Sequence, residues 1–134
     1  MSITISDQRA DQKRVPVMLG SFDEMTEVFV NIVENAIKYG FENTEVEISI
    51  FQVSSNLLQI DVTNYGEGIE ERHLPRLTER FYRVDKARSR QIGGTGLGLA
   101  IVKHIVSRHR GTMSVSSKLN GVTKFSIKLP LIHR

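Results

Sequence analysis

The segment from Ser21 to Gly40 carries the pattern that most constrains the fold of this chain. Its apolar side chains recur at steps of three and four residues, which predicts a helix that buries one wide stripe. These side chains are Met25, Val28, Phe29, Ile32, Val33, Ala36 and Ile37. Ser21 and Glu24 have the spacing of a capping box, and Gly40 is a typical helix stop. Such a helix needs an apolar surface to pack against.

Predicted β-strands provide an apolar surface for this helix. Val15–Leu19 is rich in β-formers. Alternating apolar residues predict two antiparallel pairs, at 46–50 with 58–62 and at 112–118 with 122–130. Asn120–Gly121 joins the second pair as a hairpin turn. Because strands and helices are segregated along the chain, we predict an α+β fold: a two-layer sandwich with helices on one face of a mixed, mostly antiparallel sheet.

A second helix and a long loop complete the organisation. The spacing of Leu99, Val102 and Ile105 predicts a helix over 98–110, with Gly111 as its cap. Residues 70–93 have no sustained period beyond a possible short helix around 75–81, and we interpret them as a lid. Residues 1–14 form a linker or a first strand. The 134 residues fit a single domain.

Composition excludes several function classes. The chain has no cysteine, which rules out disulfides and thiol catalysis. No apolar run approaches the ~20 residues of a membrane span, and no signal peptide is visible, so we expect a cytoplasmic chain without direct membrane contact. The net charge is +3, with basic residues concentrated over 76–90. Since that segment matches no nucleic-acid motif, we expect a triphosphate and no nucleic acid as the anionic ligand.

The glycine-rich run Gly93–Gly98 leads directly into the second predicted helix. Glycine lets the backbone approach a ligand closely, and the first turn of a helix presents free N–H groups and a positive dipole end. The run therefore suits a phosphate group. A dinucleotide-binding fingerprint, a tight loop and a hinge have the same composition, so its meaning depends on the residues around it.

Polar residues stand out at two further places. On the first helix, Asn31, Asn35 and Lys38 share one edge, beside Tyr39. At the end of the second strand, the two-residue period places Asn64 on the face that a helix layer would cover, while Asp61 points away.

Four elements in a fixed order resemble the ATP-binding domain of sensor histidine kinases, a branch of the GHKL superfamily. The edge with Asn31 and Asn35, the strand end Asn64–Ile69, the segment Glu79–Arg83 and the loop Gly94–Gly98 are similar to that family's N, G1, F and G2 boxes. The resemblance extends from Val15 to Pro130, and 74–104 is most similar to the phosphate-regulon sensor kinases. It implies ATP and Mg²⁺ as cofactors and transfer of the γ-phosphoryl group to a histidine.

The resemblance also implies roles for single residues. Asn35 would ligate Mg²⁺, Asn31 would support the catalytic metal and phosphate site, and Arg83 would neutralise charge on the γ-phosphoryl group. Nucleotide contacts are implied for Lys38, Tyr39, Asn64, Gly66, Gly68, Ile69, Arg83, Gly94, Thr95, Gly96, Leu97, Gly98, Leu99 and Thr123. A solvated polar face is the alternative for Asn31 and Asn35 taken alone, and an ordinary strand position is the alternative for Thr123.

Two positions bear on the activity. Related ATPases carry Glu where this chain has Asn31, and a carboxamide cannot take a proton from water, which favours a kinase over a slow ATPase. The family's Asp, whose carboxylate accepts from the adenine 6-amino group, is Asn64 here, and we expect ATP affinity to be about ten- to a hundredfold lower. A degenerate nucleotide-binding or docking module is therefore the alternative.

The four histidines have unremarkable positions: His104 lies on a predicted helix, and His73, His109 and His133 are expected to be exposed. None lies in the family's acceptor motif. The resemblance thus implies that the acceptor histidine belongs to a separate dimerisation domain, absent from this chain, and that a response regulator receives the phosphoryl group next. The chain is expected to be the catalytic part of a membrane-anchored bacterial sensor.

Overall fold

The computed structural model describes residues 2–10, 16–80, 82 and 98–132. The strands in this part of the chain are β1 (Ser2–Asp7), β2 (Glu45–Ser54), β3 (Leu57–Gly66), β4 (Thr112–Ser117) and β5 (Gly121–Pro130). They form one sheet in the order β1-β2-β3-β5-β4, in which β1 is parallel to β2 and the other neighbours are antiparallel. The predicted α+β class and mixed, mostly antiparallel sheet are confirmed.

Two helices in the described ranges, α1 (Phe22–Tyr39) and α2 (Gly98–Arg108), pack on one face of the sheet. The core between the layers consists of Val28, Ile32, Ala36, Val46, Val62, Val102, Ile105, Val106, Phe125, Ile127 and Leu129. Burying a large apolar side chain contributes about 1.5–3 kcal/mol, so this layer is the main source of stability. None of the helices described is both long and apolar enough to cross a bilayer.

Local hydrogen bonds and backbone geometry explain where α1 begins and where α2 ends. Ser21 caps α1, as predicted, because its Oγ accepts from the Glu24 backbone N–H at 3.2 Å. At the end of α2 the prediction needs correction, since the left-handed residue is Arg110, with φ 60°, and not Gly111. The Gly111 N–H donates to the Val106 carbonyl at 2.9 Å, as in a Schellman motif. Glycine is still needed there, because a Cβ would lie 2.5 Å from the Lys128 carbonyl oxygen.

The end of α2 is fastened to the start of α1. His109 Nδ1 donates to the Ile105 carbonyl at 2.8 Å, and His109 Nε2 accepts from the Ser21 backbone N–H at 3.1 Å. A Cβ at Gly20 would come within 2.5 Å of the His109 ring, so glycine makes room for the imidazole. His109 is therefore half-buried, and the expectation that it is exposed is wrong.

Two elements of the structure differ from the prediction: the strand expected at Val15–Leu19, of which residues 16–19 are described, and the short helix expected around 75–81. Residues 16–19 form only a single bridge, Val17 with Ile132, because Pro16 has no N–H to donate to a ladder; the first strand is β1, within 1–14. The predicted short helix around 75–81 is instead a 3₁₀ helix over Glu71–Arg76. Pro75 cannot donate to a continuing helix, so the chain proceeds through separate turns.

Candidate functional site

The polar edge of α1 forms one side of the candidate site. Asn31 and Asn35 are half-buried and Lys38 is exposed, one turn apart along the helix. Asn31 Nδ2 donates to the Glu27 carbonyl at 2.8 Å, which leaves Oδ1 as the outward-facing atom. That oxygen would lie 3.2 Å from a Cβ at Gly98. The start of α2, where the glycine-rich run ends, therefore meets the polar edge of α1 at Asn31.

The end of α1 lies against the end of β3. Gly40 and Gly66 form a bridge, and the Phe41 N–H donates to the Tyr65 carbonyl at 2.8 Å. A Cβ on Gly66 would overlap the carbonyl oxygen of Tyr39, so only glycine allows this approach. Tyr39 itself is half-buried. The close approach brings the C-terminal end of α1 near Asn64.

Asn64 lies on the helix-covered face of β3 and is only 5% exposed. Its cross-strand partner on β5 is Thr123, which is 4% exposed. The Asn64 side chain makes no hydrogen bond to another described residue, although its polar atoms keep some contact with solvent. Asp61 lies on the opposite face as predicted, but it is also buried and accepts a hydrogen bond from Gln59 at 2.9 Å.

The loop after β3 is clasped by the β4–β5 hairpin. Gly68 has φ 80°, and a Cβ there would overlap the Lys118 carbonyl oxygen. The Asn120 N–H donates to the Glu67 carbonyl at 2.7 Å. The Ile69 N–H donates to Ser117 Oγ at 2.9 Å. These contacts fix the path of the loop that the sequence predicted as a nucleotide-binding element.

Ser117 is a residue that the sequence reasoning missed. Its hydroxyl lies 2.6 Å from Thr123 Oγ1, so it joins the loop at Ile69 to the strand position opposite Asn64. The alternating pattern of β4 could have identified Ser117, because it follows Met113 and Val115 on the inward face of the strand. A polar side chain on that face needs a hydrogen-bond partner.

The described residues at the beginning of the predicted lid contact one another. Arg76 pairs with Glu79 at 3.0 Å and lies 4.3 Å over the Tyr82 ring. The Glu79 carboxylate raises the pKa of the Arg76 guanidinium. The Tyr82 hydroxyl hydrogen bonds to the half-buried ring of His73, which is not exposed as expected. Tyr82 thus packs on the lid's own first turns.

Several predicted site residues lie outside the described part of the chain. These are Arg83, Gly94, Thr95, Gly96 and Leu97. Gly98 and Leu99 begin α2, and Leu99 packs partly against the core. The described residues contain no group of three or more His, Asp or Glu that could hold a metal ion.

The described residues fit a nucleotide. Asn64 offers a buried carboxamide that no described side chain or backbone group occupies, beside a backbone where Gly66 leaves no side chain in the way. Asn35 offers an amide oxygen on the same helix edge as Asn31, a donor type that Mg²⁺ accepts together with phosphate oxygens and water.

Comparisons with known proteins agree with this arrangement. The family model described as histidine kinase-, DNA gyrase B- and HSP90-like ATPase matches residues 20–133. The phosphate regulon sensor protein PhoR of Pseudomonas aeruginosa is 47% identical over 98 residues, which are 73% of this chain and 22% of PhoR. The sensor histidine kinase WalK of Bacillus subtilis is 43% identical over 109 residues, which are 81% of this chain and 18% of WalK.

Solved structures share the fold. The mycobacterial sensor histidine kinase MprB superposes with a TM-score of 0.79 at 25% identity, covering 98% of this chain and 84% of the MprB chain. Full-length ShkA in complex with AMPPNP gives a TM-score of 0.80 at 23% identity over 98% of this chain and 26% of ShkA, a likeness of fold. The resemblance to sensor histidine kinases is confirmed, and the chain spans 22% of PhoR and 18% of WalK. The chain belongs to the histidine kinase-, DNA gyrase B- and HSP90-like ATPase family.

Proposed function

We propose that this chain is the catalytic unit of a sensor histidine kinase, which binds Mg²⁺-ATP and transfers the γ-phosphoryl group to a histidine on a separate dimerisation domain. The observation that carries the proposal is the meeting of Asn31 with the start of α2 on one side and, on the other, the buried carboxamide of Asn64, which hydrogen bonds to no described residue. Phosphate suits a helix N-terminus, and a planar base suits a buried amide.

In this proposal each end of the site has a distinct task. Asn64 and Thr123 orient the base, and Lys38 attracts the phosphates. Asn35 would hold Mg²⁺, which would supply positive charge to the triphosphate. Asn31 donates to its own helix and presents an amide oxygen, so it can position water or metal without removing a proton. The site would thus retain ATP for an acceptor instead of hydrolysing it.

The partners are part of the same proposal. PhoR and WalK are named sensor proteins, and this chain aligns with a part of each. We place the acceptor histidine on a dimerisation domain, with a response regulator as the next recipient, in a sensor anchored to the membrane with this unit on the cytoplasmic side.

Phosphoryl transfer tests the proposal directly. The chain is mixed with γ-labelled ATP, Mg²⁺ and a purified PhoR-type acceptor domain, and acid-labile label on the acceptor is measured. We expect transfer from the unaltered chain, loss of at least about tenfold in Asn35→Ala, where a metal ligand would be lost, and no change in Gln52→Ala, an exposed carboxamide on β2. Release of free phosphate without acceptor labelling would favour an ATPase instead.

A further inference from the structure

We infer that Asn64 opens the base end of the site to 6-oxo purine nucleoside triphosphates, such as ITP and GTP, alongside ATP. The inference rests on the proposed function, because it requires the base to lie against Asn64. It adds a substrate class and makes Asn64 the residue that sets base selectivity.

The chemistry of the Asn64 side chain carries the first step. A carboxamide has an NH₂ head that donates and an oxygen head that accepts, whereas a carboxylate only accepts. Asn64 is 5% exposed, so whatever lies against it must satisfy it without much help from bulk water. A residue with both heads can meet either a donor or an acceptor on a ligand.

Adenine and the 6-oxo purines present opposite patterns of hydrogen-bond donors and acceptors at positions 1 and 6. Adenine offers a 6-amino donor beside the N1 acceptor, while hypoxanthine and guanine offer a 6-oxo acceptor beside an N1–H donor. Rotating a carboxamide by 180° exchanges its two heads, so the same side chain matches both edges. A carboxylate placed to accept from a 6-amino group would meet another acceptor in a 6-oxo group, and a site built to bond a substrate N–H rejects an analogue that lacks it by about 10⁴–10⁵-fold. Asn64 removes that basis for rejection.

The surroundings of Asn64 leave both orientations open. No described residue hydrogen bonds to its side chain, so none fixes which head points toward the ligand. Its cross-strand partner Thr123 is engaged with Ser117 at 2.6 Å instead. On the Gly66 side, a Cβ would lie only 3.3 Å from Asn64 Nδ2, a tight contact that the glycine avoids.

Nucleotide binding by three proteins tests the inference. Isothermal titration with Mg²⁺-ATP, Mg²⁺-ITP and Mg²⁺-GTP is carried out on the unaltered chain, on Asn64→Asp and on Asn56→Asp, the same exchange at an exposed turn. We expect ATP and ITP to bind the unaltered chain and Asn56→Asp within about tenfold of each other. In Asn64→Asp the ATP-to-ITP affinity ratio should rise by about a hundredfold or more, because a carboxylate repels the 6-oxo group.

The possible results of the titrations distinguish a failure of this inference from a failure of the proposed function. ITP binding without GTP binding supports the role of Asn64 and limits the substrates to purines without a 2-amino group. If the unaltered chain binds ATP but discriminates against ITP as strongly as Asn64→Asp does, the inference is overturned while the proposed function stands. If no nucleotide binds to the unaltered chain, the proposed function fails and the inference fails with it.

Discussion

The base end and the phosphate end of the candidate site are built differently. The base end belongs to the sheet: Asn64 and Thr123 are buried on neighbouring strands, and the loop beside them is clasped by the β4–β5 hairpin. The phosphate end belongs to helix surfaces: Asn31 is half-buried, Lys38 is exposed, and the first residue of α2 lies close to Asn31. A substitution at the base end should therefore change both the unfolding free energy and the nucleotide affinity. A substitution at the phosphate end should be able to change the affinity while the unfolding free energy stays nearly the same.

Replacing glycine by alanine at each end gives the largest expected contrast. Gly68→Ala places a Cβ against the Lys118 carbonyl at a φ of 80°, which we expect to cost about 2–4 kcal/mol of unfolding free energy. Gly98→Ala places a Cβ 3.2 Å from a side-chain oxygen of Asn31 in a helical turn, so unfolding free energy should change by less than about 1 kcal/mol.

Urea denaturation measures both variants, and nucleotide titration shows what each does to binding. Gly98→Ala should still weaken Mg²⁺-ATP binding, because it pushes on the Asn31 carboxamide. Equal losses of stability in the two variants would remove the distinction between the two ends.

Sequence periodicity predicted the layers well for a physical reason. Burial of alternate residues in strands and of a stripe in α1 leaves a direct trace in the order of apolar residues, and Asn64 was placed on the correct face by that alternation alone. The residue types at the site were visible because amides and glycines are unusual in such runs. Pairing of strands over long separations, such as β1 beside β2, left no comparable trace.

Contacts between distant segments account for what the sequence could not predict. His109 meets Ser21 across 88 residues, and Ser117 meets Ile69 across 48. Neither contact has a local pattern, because each depends on where the sheet brings two turns together. The left-handed residue at Arg110 was missed for a related reason: Gly111 is required by the nearby Lys128 carbonyl and not by its own dihedral angles.

Ser117 provides a narrower test of coupling at the base end. Ser117→Ala removes the acceptor of the Ile69 N–H and the partner of Thr123, so we expect a loss of about 1–2 kcal/mol in unfolding free energy, together with weaker nucleotide binding. Ser116→Ala is the matched control, because Ser116 is exposed on the other face of the same strand. Thermal denaturation with and without Mg²⁺-ATP measures both effects. Weaker binding in Ser116→Ala as well would assign the effect to the strand in general.

His109 tests how much the contact between the end of α2 and the start of α1 contributes to stability. His109→Ala leaves the Ser21 N–H without its acceptor, which should cost about 1–2 kcal/mol of unfolding free energy. His104→Ala, at an exposed position on α2, should change stability by less than about 0.5 kcal/mol. Urea denaturation gives the free energies. Comparable losses in the two variants would mean that the His109 hydrogen bonds contribute nothing beyond helix composition.

The smallest expected effect concerns the ion pair between Arg108 and Glu24, which joins the same helix ends at 3.0 Å. The Arg108 side chain is 58% exposed, so Glu24→Gln should lower the unfolding free energy by at most about 1 kcal/mol, less at high salt. A double-mutant cycle with Arg108→Gln at 20 mM and 500 mM NaCl isolates the pair energy. Since Asn31 lies about two turns further along α1 than Glu24, Mg²⁺-ATP affinity should stay unchanged in all four proteins. An affinity that falls in step with the pair energy would show that the two ends of the α1–α2 layer move together, and the separation of stability from binding at the phosphate end would be lost.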